Sequence, residues 1–132
     1  VKSVIERAKK TEAMITSACK KIDLLHVKDP NLVKVILDVH GNAIYFSRSA
    51  IPYDREGEFE GYFGHLGIYA FRKKALETFC ALPYAPIEHI EKLEQLRAIY
   101  HGYNIAMEEV QSQSFGIDTP EDLEKALAFF TK

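Results

Sequence analysis

The chain has 132 residues, which suits one domain with a real core and hardly two. Hydrophobic residues make up 47% and charged residues 27%, and a formal net charge of −2 leaves no global field to draw nucleic acid or an anionic membrane. No apolar run approaches the roughly 20 residues of a membrane span, and two cysteines build neither a secreted disulfide framework nor a cysteine-based zinc site.

Val1 to Lys10 reads as a helix already in progress, with no cap residue ahead of it, so an N-terminal part is expected to precede it. Ala13 to Ala18 is a short apolar run suited to a buried strand. Asp29-Pro30-Asn31 is a turn signal, Leu32 to Leu37 a strand, and Asp38 to Asn42 a hairpin connection to a partner strand at Ala43 to Ser47. Tyr53 to Gly61, with four acidic residues and two glycines, is expected to be a mobile loop. Tyr62 to Phe71 has strand periodicity, with Leu66, Ile68 and Ala70 on one face and His65, Gly67 and Tyr69 on the other. A helix from about Lys73 to Cys80 follows. A second, Ile87 to His101, ends at Gly102 as a left-handed cap. Ile105 to Val110 is the last strand, and a helix from Thr119 closes the chain. Strands and helices interleave, which argues α/β. Cys19 and Cys80 lie in apolar surroundings and are expected to be buried, inert thiols in a reducing cytoplasm.

Three constellations can carry chemistry. On a regular strand His65, Gly67 and Tyr69 stand about 7 Å apart at successive steps, and the glycine leaves a gap where a ligand can lie between an imidazole and a phenol. A hydrogen-bonded structural histidine is the alternative. On the Ile87 to His101 helix, Ile87, Ile90, Leu93, Leu96 and Tyr100 share one arc at about 100° per residue. Arg97 falls in the middle of that arc and Glu94 at its edge. Either they pair with each other, or one faces a polar ligand at the sheet edge. Near the C-terminus, Asp118 precedes Thr119-Pro120-Glu121-Asp122: an N-cap, a proline at the first helical position, and a carboxylate placed to complete a capping box. The helix dipole favours an ionised Asp118, which suits a metal ligand as well as a turn aspartate. Arg48, at a strand end, gains interest if a substrate carries carboxylate or phosphate.

Four segments then occur in order: Tyr45-Phe46-Ser47-Arg48-Ser49-Ala50-Ile51-Pro52, His65-Leu66-Gly67-Ile68-Tyr69-Ala70, Leu93-Glu94-Gln95-Leu96-Arg97, and Gly116-Ile117-Asp118-Thr119-Pro120-Glu121-Asp122-Leu123. Together they resemble the C-terminal half of the 3-deoxy-manno-octulosonate (Kdo) cytidylyltransferases, from about Leu32 to the end. The resemblance implies a Rossmann-like mixed α/β sheet of the nucleotide-diphospho-sugar transferase type, incomplete at the N-terminus. Residues 1–132 would be the C-terminal, sugar-binding and dimerisation part of a single domain. It implies transfer of CMP from CTP to Kdo, with release of pyrophosphate, for lipopolysaccharide biosynthesis, by a cytoplasmic homodimer that requires Mg²⁺. Arg48, His65, Tyr69, Glu94 and Gln95 match positions that line the Kdo pocket, and Asp118 matches a Mg²⁺ ligand. Gln95 rests on the resemblance alone, because the helical wheel turns it away from the apolar arc. Rival readings are a sibling cytidylyltransferase for sialic acid or an amino-Kdo, and a non-catalytic module for dimerisation or ligand sensing.

The family's nucleotide-cradling loop, rich in Gly, Arg, Ser and Lys, and the segment supplying its other metal-binding Asp have no counterpart in these residues. These 132 residues incubated with CTP, Kdo and Mg²⁺ are therefore expected to release no pyrophosphate, and robust release would overturn that expectation.

Overall fold

The computed structural model describes residues 2–111. In chain order the elements are α1 (Lys2–Lys10), β1 (Ile15–Lys21), β2 (Lys34–Leu37), β3 (Ala43–Ser47), β4 (Phe63–Phe71), α2 (Lys73–Ala81), α3 (Pro86–Glu91), α4 (Leu96–Tyr100) and β5 (Ile105–Glu109). The strands form one mixed sheet in the order β3-β2-β4-β1-β5. β1 runs antiparallel to β4 and parallel to β5, and β2 is antiparallel to both β3 and β4. β1 is buried from Ile15 through Cys19, as its unbroken run of small and apolar side chains requires of a strand covered on both faces.

The two faces are covered unequally. On one, α1 lays Val4 and Ala8 against Ala18, Leu66 and Ala70. On the other, Phe79, Leu93, Leu96 and Ala98 from the later helices close over Ile15, Val35, Phe46, Ile105 and Met107. Each fully buried Leu, Ile or Phe in this second cluster contributes about 1.5–3 kcal/mol of apolar burial. It holds most of the apolar core.

The β2–β3 hairpin turns as expected. The Asp38 carboxylate accepts from the backbone N–H groups of His40 (2.8 Å) and Asn42 (2.9 Å), and Gly41 takes φ +79°. A Cβ on Gly41 would stand 2.8 Å from Arg7 Nη2, so close approach as well as backbone angle calls for glycine. The tip then reaches the far edge of the sheet, where Met107 N donates to Gly41 O (2.9 Å) and Asn42 bridges Ala106. The Tyr53 to Gly61 stretch is built around Asp54. Its carboxylate accepts from the N–H groups of Gly57, Glu58 and Phe59, and these bonds, that of Phe59 foremost, hold its pKa below the usual carboxylate range.

The helix expected from Ile87 to His101 is two short helices. Lys92 takes left-handed angles (φ 57°, ψ 46°) and ends α3. Leu93 to Gln95 then form a tight turn closed by bonds from Leu96 N to Leu93 O and from Arg97 N to Glu94 O. The break resets the phase, so the single-helix wheel fails. Ile90 and Tyr100, placed on the apolar arc, are 80% and 53% exposed, whereas Glu88, placed off it, is 4% exposed. Arg97 pairs with Glu88, not Glu94, through two 2.8 Å bonds from Nε and Nη2. Ala85 N also donates to Glu88 Oε1, and Pro86 occupies the first position of α3. The left-handed cap at Gly102 is present: φ is +87°, Gly102 N donates to Ile99 O, and Tyr103 N donates to Ala98 O. Of the two thiols, Cys19 is buried and burial pushes its pKa up to about 12, but Cys80 is exposed.

Truncating one partner of a buried pair strands the other charge. Arg97→Ala, which leaves the Glu88 carboxylate with only Ala85 N, is expected to cost about 3 kcal/mol of stability, read as a lower urea midpoint. A midpoint within experimental error of the parent would show that the pair contributes nothing.

Candidate functional site

β4 does not pair evenly with β1. Ser17 stands opposite Tyr69, yet the next residue, Ala18, stands opposite Leu66, so Gly67 and Ile68 bulge out of the ladder. On a regular strand His65 and Tyr69 would lie about 13 Å apart. The bulge draws their rings together, to 5.5 Å between centroids. The gap expected over Gly67 is therefore closed, and Gly67 itself faces outward, with nothing within 4 Å of an added Cβ.

His65 also meets Phe46 edge-on, at 4.8 Å between centroids. Its Nε2 lies 2.8 Å from the Ser17 hydroxyl. Burial among these rings lowers its pKa to about 4, so the imidazole is neutral at pH 7. Tyr69 is pushed up to about 12, first by burial and then by the negative charge of Glu94, and it keeps its phenolic proton.

Tyr69 opens onto a cleft of about 280 Å³. Its apolar wall comes from Ile15, Phe71, Leu76 and Phe79, and Tyr69, Glu94, Gln95 and Cys80 add polar groups. The turn after Lys92 delivers Glu94 and Gln95 here. Glu94 is exposed; Gln95 is 6% exposed as a whole residue, and its side-chain amide makes no hydrogen bond among the described residues yet is not a buried orphan, so it stays open at the cleft wall. Two larger hollows, of about 610 and 490 Å³, contain none of the predicted residues.

Arg48 lies outside the cleft lining. Its Nε donates to Glu91 O (2.8 Å), Nη1 to Pro30 O (3.0 Å) and Nη2 to Lys92 O (3.2 Å), which fastens the end of β3 to the end of α3. Glu91 returns the contact by accepting from Arg48 N at 3.0 Å. Two of the five guanidinium N–H groups remain beyond these bonds. Asp118 lies outside the described residues. Among the described residues no group of three or more His, Cys, Asp or Glu is arranged to hold a metal ion.

The structure thus brings Tyr69, Glu94 and Gln95 to one cleft, sets His65 against Tyr69, and holds Arg48 to one side. Three residues escaped the sequence reading: Ser17, Glu88 as the partner of Arg97, and Cys80 as a cleft residue. Only Ser17 left a trace, as a hydroxyl in a buried apolar strand that must find partners.

An open mixed sheet that carries a largely apolar cleft with a phenol, a carboxylate and an amide in its wall is an α/β scaffold with hydrogen-bond donors and acceptors gathered at one cleft. Sequence comparison then fixes the family: the cytidylyltransferase model matches residues 1–112, and the chain belongs to that family. The chain is 58% identical over 126 residues to a 3-deoxy-manno-octulosonate cytidylyltransferase of Nitratiruptor sp., covering 96% of this chain and 52% of the relative. It is 56% identical to one of Wolinella succinogenes, covering 88% and 49%, and 50% identical to one of Helicobacter pylori, covering 98% and 54%. Among solved structures it matches a CMP:2-keto-3-deoxy-manno-octonic acid synthetase complexed with CTP, with a TM-score of 0.81 and 36% identity over 97% of this chain and 54% of that one. The nucleotide-diphospho-sugar transferase type of fold is thereby established. The chain spans about half the length of the curated relatives it matches.

A histidine held neutral makes stability depend on pH. In the unfolded chain His65 titrates near 6.5 and in the fold near 4, so between those values the unfolded state binds the extra proton. Stability is expected to fall by up to roughly 3 kcal/mol as pH drops from 6.5 to 4, and this contribution is constant above 6.5. Urea midpoints of the parent and His65→Gln across that range check it; a difference that does not change with pH would refute it.

Proposed function

We propose that this chain supplies the sugar-side half of a 3-deoxy-manno-octulosonate cytidylyltransferase, which transfers CMP from CTP to Kdo for lipopolysaccharide synthesis. The anomeric hydroxyl oxygen of Kdo would bond to the α-phosphorus of CTP as the bond to pyrophosphate breaks, and the hydroxyl proton would leave to solvent. The observation that carries this reading is the Gln95 amide, unpartnered among the described residues and open at the cleft wall beside Tyr69 and Glu94. An amide offers both donor and acceptor, a protonated phenol donates, and a carboxylate accepts, which suits a polyol. The remaining N–H groups of Arg48 suit the Kdo carboxylate. The relatives' names favour Kdo over a sialic acid or an amino-Kdo.

Mg²⁺ belongs to the proposal through Asp118, where it would neutralise phosphate charge; no described cluster supplies a second ligand set. A homodimer belongs to it as well. Val39 and Ile44 on the β2–β3 hairpin are exposed apolar groups suited to a partner copy, and a monomeric mass by sedimentation at micromolar concentration would remove that element. No described helix is long and apolar enough to cross a membrane, and a cytoplasmic setting is proposed with the nucleotide substrate.

Isothermal titration separates the rivals. Kdo is expected to bind more tightly than N-acetylneuraminate, and Gln95→Ala to weaken Kdo about tenfold. Equal or tighter binding of the sialic acid, or an unchanged Gln95→Ala isotherm, would sink the assignment.

A further inference from the structure

We infer that Ser17 is a positioning residue that fixes His65 as the Nε2–H tautomer, leaving Nδ1 as a lone-pair acceptor for a hydroxyl hydrogen of the sugar substrate. The inference deepens the reading of this chain as a Kdo-binding half-site and rests on it for the identity of the sugar. The tautomer itself rests on geometry alone.

Ser17 is fully buried, so no bulk water shares its hydrogen bonds. Its Oγ lies 2.6 Å from Ile68 O, 3.2 Å from Leu66 O and 2.8 Å from His65 Nε2. A hydroxyl has one hydrogen and two lone pairs. Two oxygens 2.6 Å apart need a proton between them, because facing lone pairs repel at that distance in a dry interior. The carbonyls can only accept. The Ser17 hydrogen therefore belongs to Ile68 O, with Leu66 O at the margin, and Oγ can meet Nε2 only as an acceptor. Nε2 must carry the hydrogen.

A neutral imidazole protonated at Nε2 has its lone pair at Nδ1. Phe46 and Tyr69 flank the ring and resist the half-turn that would put Cε1 in place of Nε2 against Ser17. Nδ1 accepts no hydrogen bond among the described residues. It is also not a buried orphan, since among the described residues Arg7 Nε is the one buried side-chain polar atom without a partner. Nδ1 is thus open to a donor from outside, next to a phenol that keeps its own proton. One acceptor beside one donor distinguishes a hydroxyl from a deoxy or ether position on a sugar ring.

The test is a long-range ¹H–¹⁵N correlation spectrum of the protein labelled at histidine nitrogens, with His65 assigned by its loss in His65→Gln. The wild type is expected to show a pyrrole-like Nε2 and a pyridine-like Nδ1. Ser17→Ala is expected to mix the tautomers and Ser17→Thr to restore the preference. In Kdo titrations Ser17→Ala should bind about tenfold more weakly, with Ser17→Thr recovering most of the loss. A wild-type His65 protonated at Nδ1 overturns the inference. So does a Ser17→Ala protein that melts cooperatively and binds Kdo like the parent. Absence of Kdo binding in the wild type would remove the substrate reading, while the nitrogen shifts would still decide the tautomer.

Discussion

A strand pair can hold two surplus residues only if the backbone groups that leave the ladder find other partners. Opposite Ser17 that condition is met by one hydroxyl, which reaches the carbonyl of Leu66 at the edge of the bulge and that of Ile68 within it. The rest of the site follows from this arrangement. Without the bulge His65 and Tyr69 would stand four strand residues apart and never touch; with it they form a tilted ring pair, with Phe46 edge-on to His65. An interior oxygen on β1 thus determines how two residues of β4 meet.

The opposite wall is set by a comparable device. Lys92 accepts a left-handed conformation that a non-glycine residue adopts at some cost, and the turn it starts carries Glu94 and Gln95 toward the cleft. The two short helices on either side would have little reason to stay aligned alone. The Glu88–Arg97 pair ties them, and Arg97 also lies over the rings of Phe79 and Tyr84, so the break in the helix is braced on both sides. Arg48 closes the arrangement from β3 by bonding the last carbonyls of α3.

Much of this was legible in the residues. The hairpin at Asp38 to Asn42, the β3 boundaries, the cap at Gly102 and the mixed α/β character each follow from a local signal: a turn aspartate, alternation, a glycine where φ is positive. The break at Lys92 left no such signal, because neither glycine nor proline marks it, and the apolar spacing from Ile87 to Tyr100 continues across it. The wheel consequently misplaced Ile90, Tyr100 and Glu88, and turned Gln95 away from the cleft that it lines. Resemblance singled out Gln95 where periodicity did not. The bulge was equally invisible, since alternation in β4 reads the same with or without two looped-out residues, and so the closing of the Gly67 gap could not be foreseen.

The hairpin tip joins regions that are far apart along the chain. Gly41 O accepts from Met107 N and from Arg7 Nη2, so the first helix, an outer hairpin and the last described strand meet at one carbonyl. β1 is in the same position, since Ile15 pairs with Phe71 on one side and Ile105 on the other. Apart from the β2–β3 hairpin, the strand pairings of the sheet therefore close long loops, whose entropy is lost before the contact returns anything. Such a chain gains little from partial assembly. β1, paired on both sides with segments distant in sequence, is the strand on which the cooperativity of the sheet turns.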